Sequence, residues 1–413
     1  MHILFLTDNF IPEGNAPASR TYEHAKVWVK NGAKVTVLTC TPNFPDGKVF
    51  SGYKNNWLFK EEIDGIKIWR VKTYISENKG FMKRIIDFIS FMISSFIFGL
   101  FVKKVDVIVG TSPQFFTMIS AWALSKLKKA RFIFELRDIW PASIYAVGVM
   151  KKNRLIRFLE TIEIFLYHQA DMIISVTHSF RNELKMRGID PSKIYIIENG
   201  VDLSKFYPLE SKDKNFIEKY NLNGKFVVGY IGTHGLAHGL DNVLEAAKQL
   251  QKYENIKIVL VGGGADRLRI EKLAISKNLH NVIMIKSQPK DQMPNLWSIC
   301  DISLVHLKNA ELFKTVIPSK IFESMAMGIP ILYSAPEGEA ANIILDNKLG
   351  IVTKPENPKC LAESILNLQS DETKLLIYSE NCLRTAKKYN RKNLALSMLE
   401  FIKRDFTFKN NNS

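Results

Sequence analysis

Residues 225–264 read KFVVGYIGTHGLAHGLDNVLEAAKQLQKYENIKIVLVGGG. KFVVGYIG is a short apolar run that ends on a glycine, and such a run reads as a strand buried on both faces. LDNVLEAAKQLQK reads as a helix, and IKIVLVGGG is a second apolar strand with glycines at its end. Strand, glycine turn, helix, strand is the unit from which a parallel, doubly wound sheet is built.

The same rhythm extends in both directions. Downstream, NVIMIK, DISLVHL, IPILYS and LGIVTK are further strands. Upstream, HILFLT, KVTVLT, IKIWRV, VDVIVG, ARFIFEL and DMIISVT alternate with helical stretches, among them RTYEHAKVWVKNG, closed by Gly32. The chain therefore reads as two α/β domains, 1–207 and 208–385, with the boundary in the polar stretch Pro208 to Gly224. A C-terminal helix and a disordered tail, FKNNNS, would follow over 386–413.

Composition agrees. A chain of 413 residues with 46% apolar content can bury two sizeable cores. The net charge of +16 points to an anionic partner. Cys40, Cys300, Cys360 and Cys382 lie far apart without a C-x-x-C pair, a reduced, cytosolic pattern. MHILFLTDNF has no basic leader, and Ile3 to Leu6 is too short for the apolar core of a signal peptide.

Three glycine turns fall at strand ends, where open α/β sheets take their ligands. Gly232, Gly235 and Gly239 precede one helix, VGGGADRLR contains Gly263, and NFIPEGNAPASR contains Gly14, Asn15 and Arg20. Such turns bring backbone N–H groups to a phosphate. The spacing G-x-x-G-x-x-x-G is not the dinucleotide fingerprint, and no Walker lysine follows. In TVIPSKIFESMAMGIP, residues 315–330, Pro318 suits a first helical turn and Ser319 a cap, while Lys320 stands where the helix dipole disfavours a cation. An anion there would remove the conflict. With no Asp-x-Asp pair and no His/Cys/Asp cluster at ligand spacing, no metal is expected.

In order and spacing, ENGVDLSKFYP, YIGTHGLAHGLDNVLEAA, IVLVGGGADRLRIEKLA and PSKIFESMAMGIPIL resemble the family 4 retaining glycosyltransferases. FELRDIWPASIYAVG is similar to a bacterial O-antigen and capsule branch that includes L-fucosamine transferases. The resemblance implies the GT-B fold, two Rossmann-like domains facing a central cleft, with the nucleotide sugar held by the C-terminal one. It implies that Glu323 receives the ribose hydroxyls. Relatives carry a second glutamate at the position of Thr315, and an arginine and a lysine where Thr233 and His238 stand here. Glu311 is a stand-in for the missing glutamate at the wrong spacing. Lys320 is then the natural charge for the leaving diphosphate, with Thr233, His234, Gly235, Gly263 and Ser319 completing the nucleotide site. Arg137 replaces the histidine that relatives place beside Asp138 near the donor sugar, so both become catalytic candidates with Lys320. Glu135 shares their strand end, and Gly14, Asn15 and Arg20 would hold the acceptor's phosphate.

The segment IIDFISFMISSFIFGLFV, residues 85–102, is apolar and flanked by Lys83, Arg84, Lys103 and Lys104. Its length reaches that of a transmembrane helix. The strands on either side belong to one sheet, so a helix lying in the membrane interface over about 82–104 is expected, with Phe88, Phe91 and Phe98 on its lipid side. The expectation is a metal-independent enzyme with no cofactor, peripheral on the inner face of the cytoplasmic membrane. It would move a sugar from a nucleoside diphosphate, UDP for preference, to a polyprenyl-diphosphate-linked saccharide. A hydrolysing UDP-N-acetylglucosamine 2-epimerase shares the fold but needs no lipid acceptor. A nucleic-acid binder would interleave aromatic and basic residues on one face, and no such element stands out.

Overall fold

The computed structural model describes residues 1–75, 81–112, 114–141 and 153–410. It divides into two compact units, Met1–Glu198 with Arg391–Ser413, and Asn199–Asn390. Residues 142–148, the end of FELRDIWPASIYAVG, and the last three residues of the tail lie outside the described part.

In the first unit, β1 (His2–Leu6), β2 (Lys34–Cys40), β3 (Leu58–Ile63), β4 (Ile66–Val71), β5 (Val107–Thr111), β6 (Arg131–Leu136), β7 (Met172–Ser175) and β8 (Ile194–Ile196) form one sheet. Its order is β3-β4-β2-β1-β5-β6-β7-β8, and every pairing is parallel except β3 with β4. Asp64 and Gly65 join that hairpin, both at positive φ, as the tightest two-residue turn requires. In the second unit, β9 (Phe226–Ile231), β10 (Ile256–Val261), β11 (Val282–Ile285), β12 (Ile302–His306), β13 (Ile331–Ser334) and β14 (Gly350–Thr353) run parallel in the order β11-β10-β9-β12-β13-β14. Successive residues of β9 point to opposite faces. Val227 and Ile231 enter the core shared with Trp297 and Ile321, and Val228 and Tyr230 enter the one shared with Leu244 and Leu260.

In both sheets the order reverses beside the first strand, between β1 and β5 and between β9 and β12. Loops leaving the carboxyl ends there open the crevice in which such sheets bind ligands.

Two sequence boundaries shift. Residues 199–207 belong to the second unit because Val201 N donates to Tyr389 O at 3.0 Å and Phe206 is buried in its core. The helix Arg391–Asn410 returns to the first unit, where Trp28 Nε1 donates to Ala395 O at 2.8 Å and Met398, Leu399 and Ile402 join Ile3 and Phe5. That helix includes Phe408 to Asn410, which the sequence assigns to the tail.

The apolar segment forms the helix Phe81–Leu100. Phe91 and Ser95 are fully buried, and Ser95 Oγ donates to Ser120 Oγ at 3.0 Å. Lys128 Nζ closes the helix by donating to the carbonyls of Leu100 and Val102 at 2.9 and 2.8 Å. Phe91 therefore belongs to the core, against expectation, whereas Phe88 and Phe98 are half-buried. The outward apolar side chains are Ile86, Ile93, Ile97, Leu100 and Phe101. Among the described residues, no helix is long and apolar enough to cross a membrane.

Candidate functional site

In the second unit, the residues expected at the nucleotide gather at the ends of β9, β10 and β12. Gly262 follows β10 at φ +146°, and a Cβ there would lie 1.9 Å from the carbonyl oxygen of Gly232, so only glycine lets the two turns approach. His234 N donates to Gly263 O at 2.7 Å and Asp266 N to His234 O at 2.9 Å, which fixes the loop after β9 against the loop after β10. Tyr230 Oη donates to Thr233 O at 2.7 Å and pins the same loop from below.

Lys320 reaches into this cradle. Its Nζ lies 3.5 Å from the centroid of the Tyr230 ring, and its last two atoms pass over Gly232, where a Cβ would meet them at 3.3 Å. The residue is only 7% exposed, and Nζ has no hydrogen-bond partner. Cation–π attraction offsets part of the lost hydration, on the order of 2 kcal/mol when desolvated, but it supplies no acceptor. Burial accordingly pushes the ammonium down to about 7, with Glu323 opposing.

Three imidazoles surround the amine. His234 is fully buried with neither ring nitrogen bonded, His238 leaves Nδ1 unbonded, and His306 leaves Nε2 unbonded while its Nδ1 bonds His238 O at 2.6 Å. Burial first, then Arg267 and Lys320, lowers His234 to about 4, and burial and Lys320 lower His238 to about 3. The rings stay neutral near pH 7, so positive charge at this site resides on Lys320 alone among these four groups. His306 escaped sequence reasoning, since one histidine at a strand end carries no signal.

Other expectations are adjusted. Ser319 makes no side-chain cap, because its own backbone is already helical (φ −59°, ψ −27°). The carboxylate of Glu323 accepts from Trp297 Nε1 at 3.1 Å, which orients it. Thr315 Oγ1 donates to Leu312 O at 2.7 Å within its own turn, and Glu311 extends to solvent, paired with Lys314 at 2.8 Å.

In the first unit, Asn15 caps the helix Ala16–Lys30 by accepting from Ala18 N at 2.9 Å, so the helix begins four residues earlier than RTYEHAKVWVKNG suggests. Gly14 lies in open space. Arg20 is 1% exposed; its Nε donates to Glu135 Oε1 at 3.0 Å, and its other nitrogens reach the carbonyls of Ile197 and Glu198. This guanidinium ties the helix to β6 and the end of β8, and it is not presented to an acceptor phosphate as the sequence suggested. Breaking a buried pair of this kind costs about 3–5 kcal/mol. Arg137 and Asp138 follow β6, and both backbone N–H groups donate to Ser112 Oγ, at 2.7 and 3.2 Å.

With this geometry in place, comparison with known proteins supplies the class. Residues 18–205 match Glycosyltransferase Family 4, and residues 212–389 match Glycosyl transferases group 1. The chain is 26% identical over 396 residues to the colanic acid biosynthesis glycosyl transferase WcaI of Escherichia coli, covering 93% of this chain and 96% of that one. It is 27% identical over 260 residues to the N,N'-diacetylbacillosaminyl-diphospho-undecaprenol alpha-1,3-N-acetylgalactosaminyltransferase of Campylobacter jejuni, covering 61% and 66%. Among solved structures, Anabaena HepE in complex with UDP-glucose superposes with a TM-score of 0.74 at 15% identity, covering 98% and 100%. The chain is thus a glycosyltransferase of the GT-B fold, a family 4 domain joined to a group 1 domain.

Proposed function

We propose that the protein is a retaining glycosyltransferase that moves a sugar from UDP to a polyprenyl-diphosphate-linked saccharide in surface-polysaccharide assembly. The observation that carries this reading is the unpartnered Lys320 ammonium over Gly232 and Tyr230, poised for an anion that the site itself lacks. In the transfer, the bond from the anomeric carbon to the diphosphate oxygen breaks. A bond from that carbon to an acceptor hydroxyl oxygen forms, and the hydroxyl proton leaves. Lys320 takes up the charge that develops on the diphosphate and Glu323 receives the ribose, while Asp138 stays a catalytic candidate from the resemblance alone. UDP as carrier is supported by HepE, which binds UDP-glucose. The acceptor class is supported by the Campylobacter relative, named for a diphospho-undecaprenol substrate. An N-acetylated amino or deoxy sugar is proposed for the donor, from the resemblance to the L-fucosamine branch.

The test is a panel of UDP-, GDP- and dTDP-sugars offered with a diphospho-undecaprenyl disaccharide, read as nucleotide release and as the anomeric configuration of the product by NMR. Retention, a UDP requirement and full activity in EDTA are expected. Inversion, or activity lost in EDTA and restored by magnesium, would contradict this reading.

Peripheral attachment to the membrane belongs to the same proposal. Ile93, Ile97 and Phe101 are 49%, 46% and 65% exposed at four-residue spacing, and Lys83, Arg84, Lys103 and Lys104 flank them. Apolar side chains with basic neighbours suit an anionic lipid surface. Changing all three to serine is expected to release most of the protein from phosphatidylglycerol vesicles while leaving Tm within a few degrees. Wild-type protein that ignores such vesicles at low salt would refute the attachment.

A further inference from the structure

Glu323 is half-buried, and its inner side is held by an indole. Trp297, fully buried on the helix Met293–Ser298, donates from Nε1 to Glu323 Oε2 at 3.1 Å. A buried indole N–H needs an acceptor, and a backbone carbonyl is enough. Trp28 is satisfied in that way, by Ala395 O at 2.8 Å. Trp297 instead gives its single donor to a charged side chain of the candidate nucleotide site.

The helix that carries Glu323 makes this bond matter. Lys320–Ala326 has seven residues, and Ser319 supplies no side-chain cap. A helix this short is placed by tertiary contacts and not by its own turns. Ser324 Oγ donates to Ser303 Oγ of β12 at 2.6 Å, both fully buried, which fixes the inner face of the helix. The Trp297 ring packs in one core with Ile321 and Phe322 of the same helix, and this packing aims its N–H. What remains loose is the end of the glutamate, whose last torsion is broad and would let the carboxylate turn. A hydrogen bond to one oxygen sets the carboxylate plane, and a carboxylate has lone pairs for several donors at once.

We infer that Trp297 is the positioning residue for ribose recognition. Through Oε2 it turns the Glu323 carboxylate to receive the ribose hydroxyls, and so makes the site select ribonucleotides over deoxynucleotides. Trp297 acts through Glu323. The inference rests on the proposed role of Glu323 at the ribose, and its test separates the two.

Isothermal titration compares UDP with the dideoxy analogue that lacks both ribose hydroxyls. Wild type should bind UDP about tenfold more tightly, as hydrogen bonds to a charged group give. Glu323→Ala should abolish the preference. Trp297→Phe keeps the carboxylate and loses the N–H, and should cut the preference to about twofold. Because phenylalanine also leaves a gap in the core, benzothienylalanine in place of Trp297 is the second variant. It keeps the ring shape with sulfur where the N–H stood, and should give the same reduced ratio. A merely structural tryptophan would weaken both ligands equally and leave the ratio tenfold. In heteronuclear NMR spectra of wild type, the Trp297 indole N–H signal is the one that Trp297→Phe removes. It should move with UDP and stay nearly still with the dideoxy analogue. A full preference in the benzothienylalanine protein, or an indole signal that moves equally with both ligands, would overturn the inference alone. A preference that survives Glu323→Ala would refute the ribose role of Glu323, and the inference would fall with it.

Discussion

Replacing Lys320 with methionine lowers kcat about 10²-fold at saturating donor, the scale of losing one charge-stabilising donor in a closed site. The expectation follows from the inventory around Nζ. His234, His238 and His306 are held neutral, Thr233 stands where relatives carry arginine, and the nearby Arg267 already spends Nη1 on the carbonyls of Gly262 and Ile285 at 2.9 Å each, so no equivalent of the ammonium over Gly232 remains. Methionine fills a similar volume, and the fold should gain from the change in the absence of donor. The sign follows from linkage: folding lowers the lysine from 10.5 to about 7. Between those pH values the unfolded chain binds the extra proton, so stability rises with pH across that window and the cation is disfavoured at its lower edge. The variant should lose this pH dependence and melt no lower than wild type at pH 7. Wild-type kcat in a well-folded Lys320→Met protein would remove the amine from the mechanism.

Gly262→Ala should be the most damaging single methyl group in the second unit's site. The new Cβ would fall 1.9 Å from Gly232 O and the backbone would keep φ at +146°. Strain of about 1–3 kcal/mol adds to overpacking of similar size. At about 2–4 °C per kcal/mol, Tm should fall by about 10 °C. The contact cannot relax without moving the Gly232 turn away from Lys320, so donor KM should rise about tenfold. Differential scanning fluorimetry and initial-rate kinetics check both effects. An unchanged Tm with an unchanged KM would mean that the two turns do not meet as described.

The sheets were legible because their strands are buried on both faces and read as unbroken apolar runs, from HILFLT to LGIVTK. The elements that escaped obey other rules. β3 reads LFKEEI, an edge strand with charged residues facing solvent, and β8 has only three residues. The Asp64-Gly65 turn was the available signal for the hairpin. At the candidate site, sequence spacing found Lys320, Glu323 and the glycine turns, since strand ends and helix starts are local features. It could not tell Arg20 from Arg137. Both are arginines near strand ends, and only the tertiary position of Glu135 and the carbonyls of Ile197 and Glu198 decides which is satisfied. The apolar helix misled for a related reason. Phe88, Phe91 and Phe98 share a side by period, but whether that side faces lipid or protein depends on the neighbouring helix that supplies Ser120.

On the proposed function, the donor's diphosphate is met by the Lys320 amine, which burial holds at about 7 in the free protein. Isothermal titration of UDP at pH 8, in buffers of different ionisation enthalpy, tests it most directly. With Lys320 at about 7 in the free protein, most of the amines are neutral at this pH. An adjacent diphosphate raises the amine, so binding must take a proton from the buffer. The expected result is uptake of nearly one proton (~0.9) per UDP bound by wild type, none by Lys320→Met, and a wild-type affinity that falls as pH rises above 7. Equal heats in all buffers for wild type, with an affinity independent of pH from 7 to 9, would contradict the account.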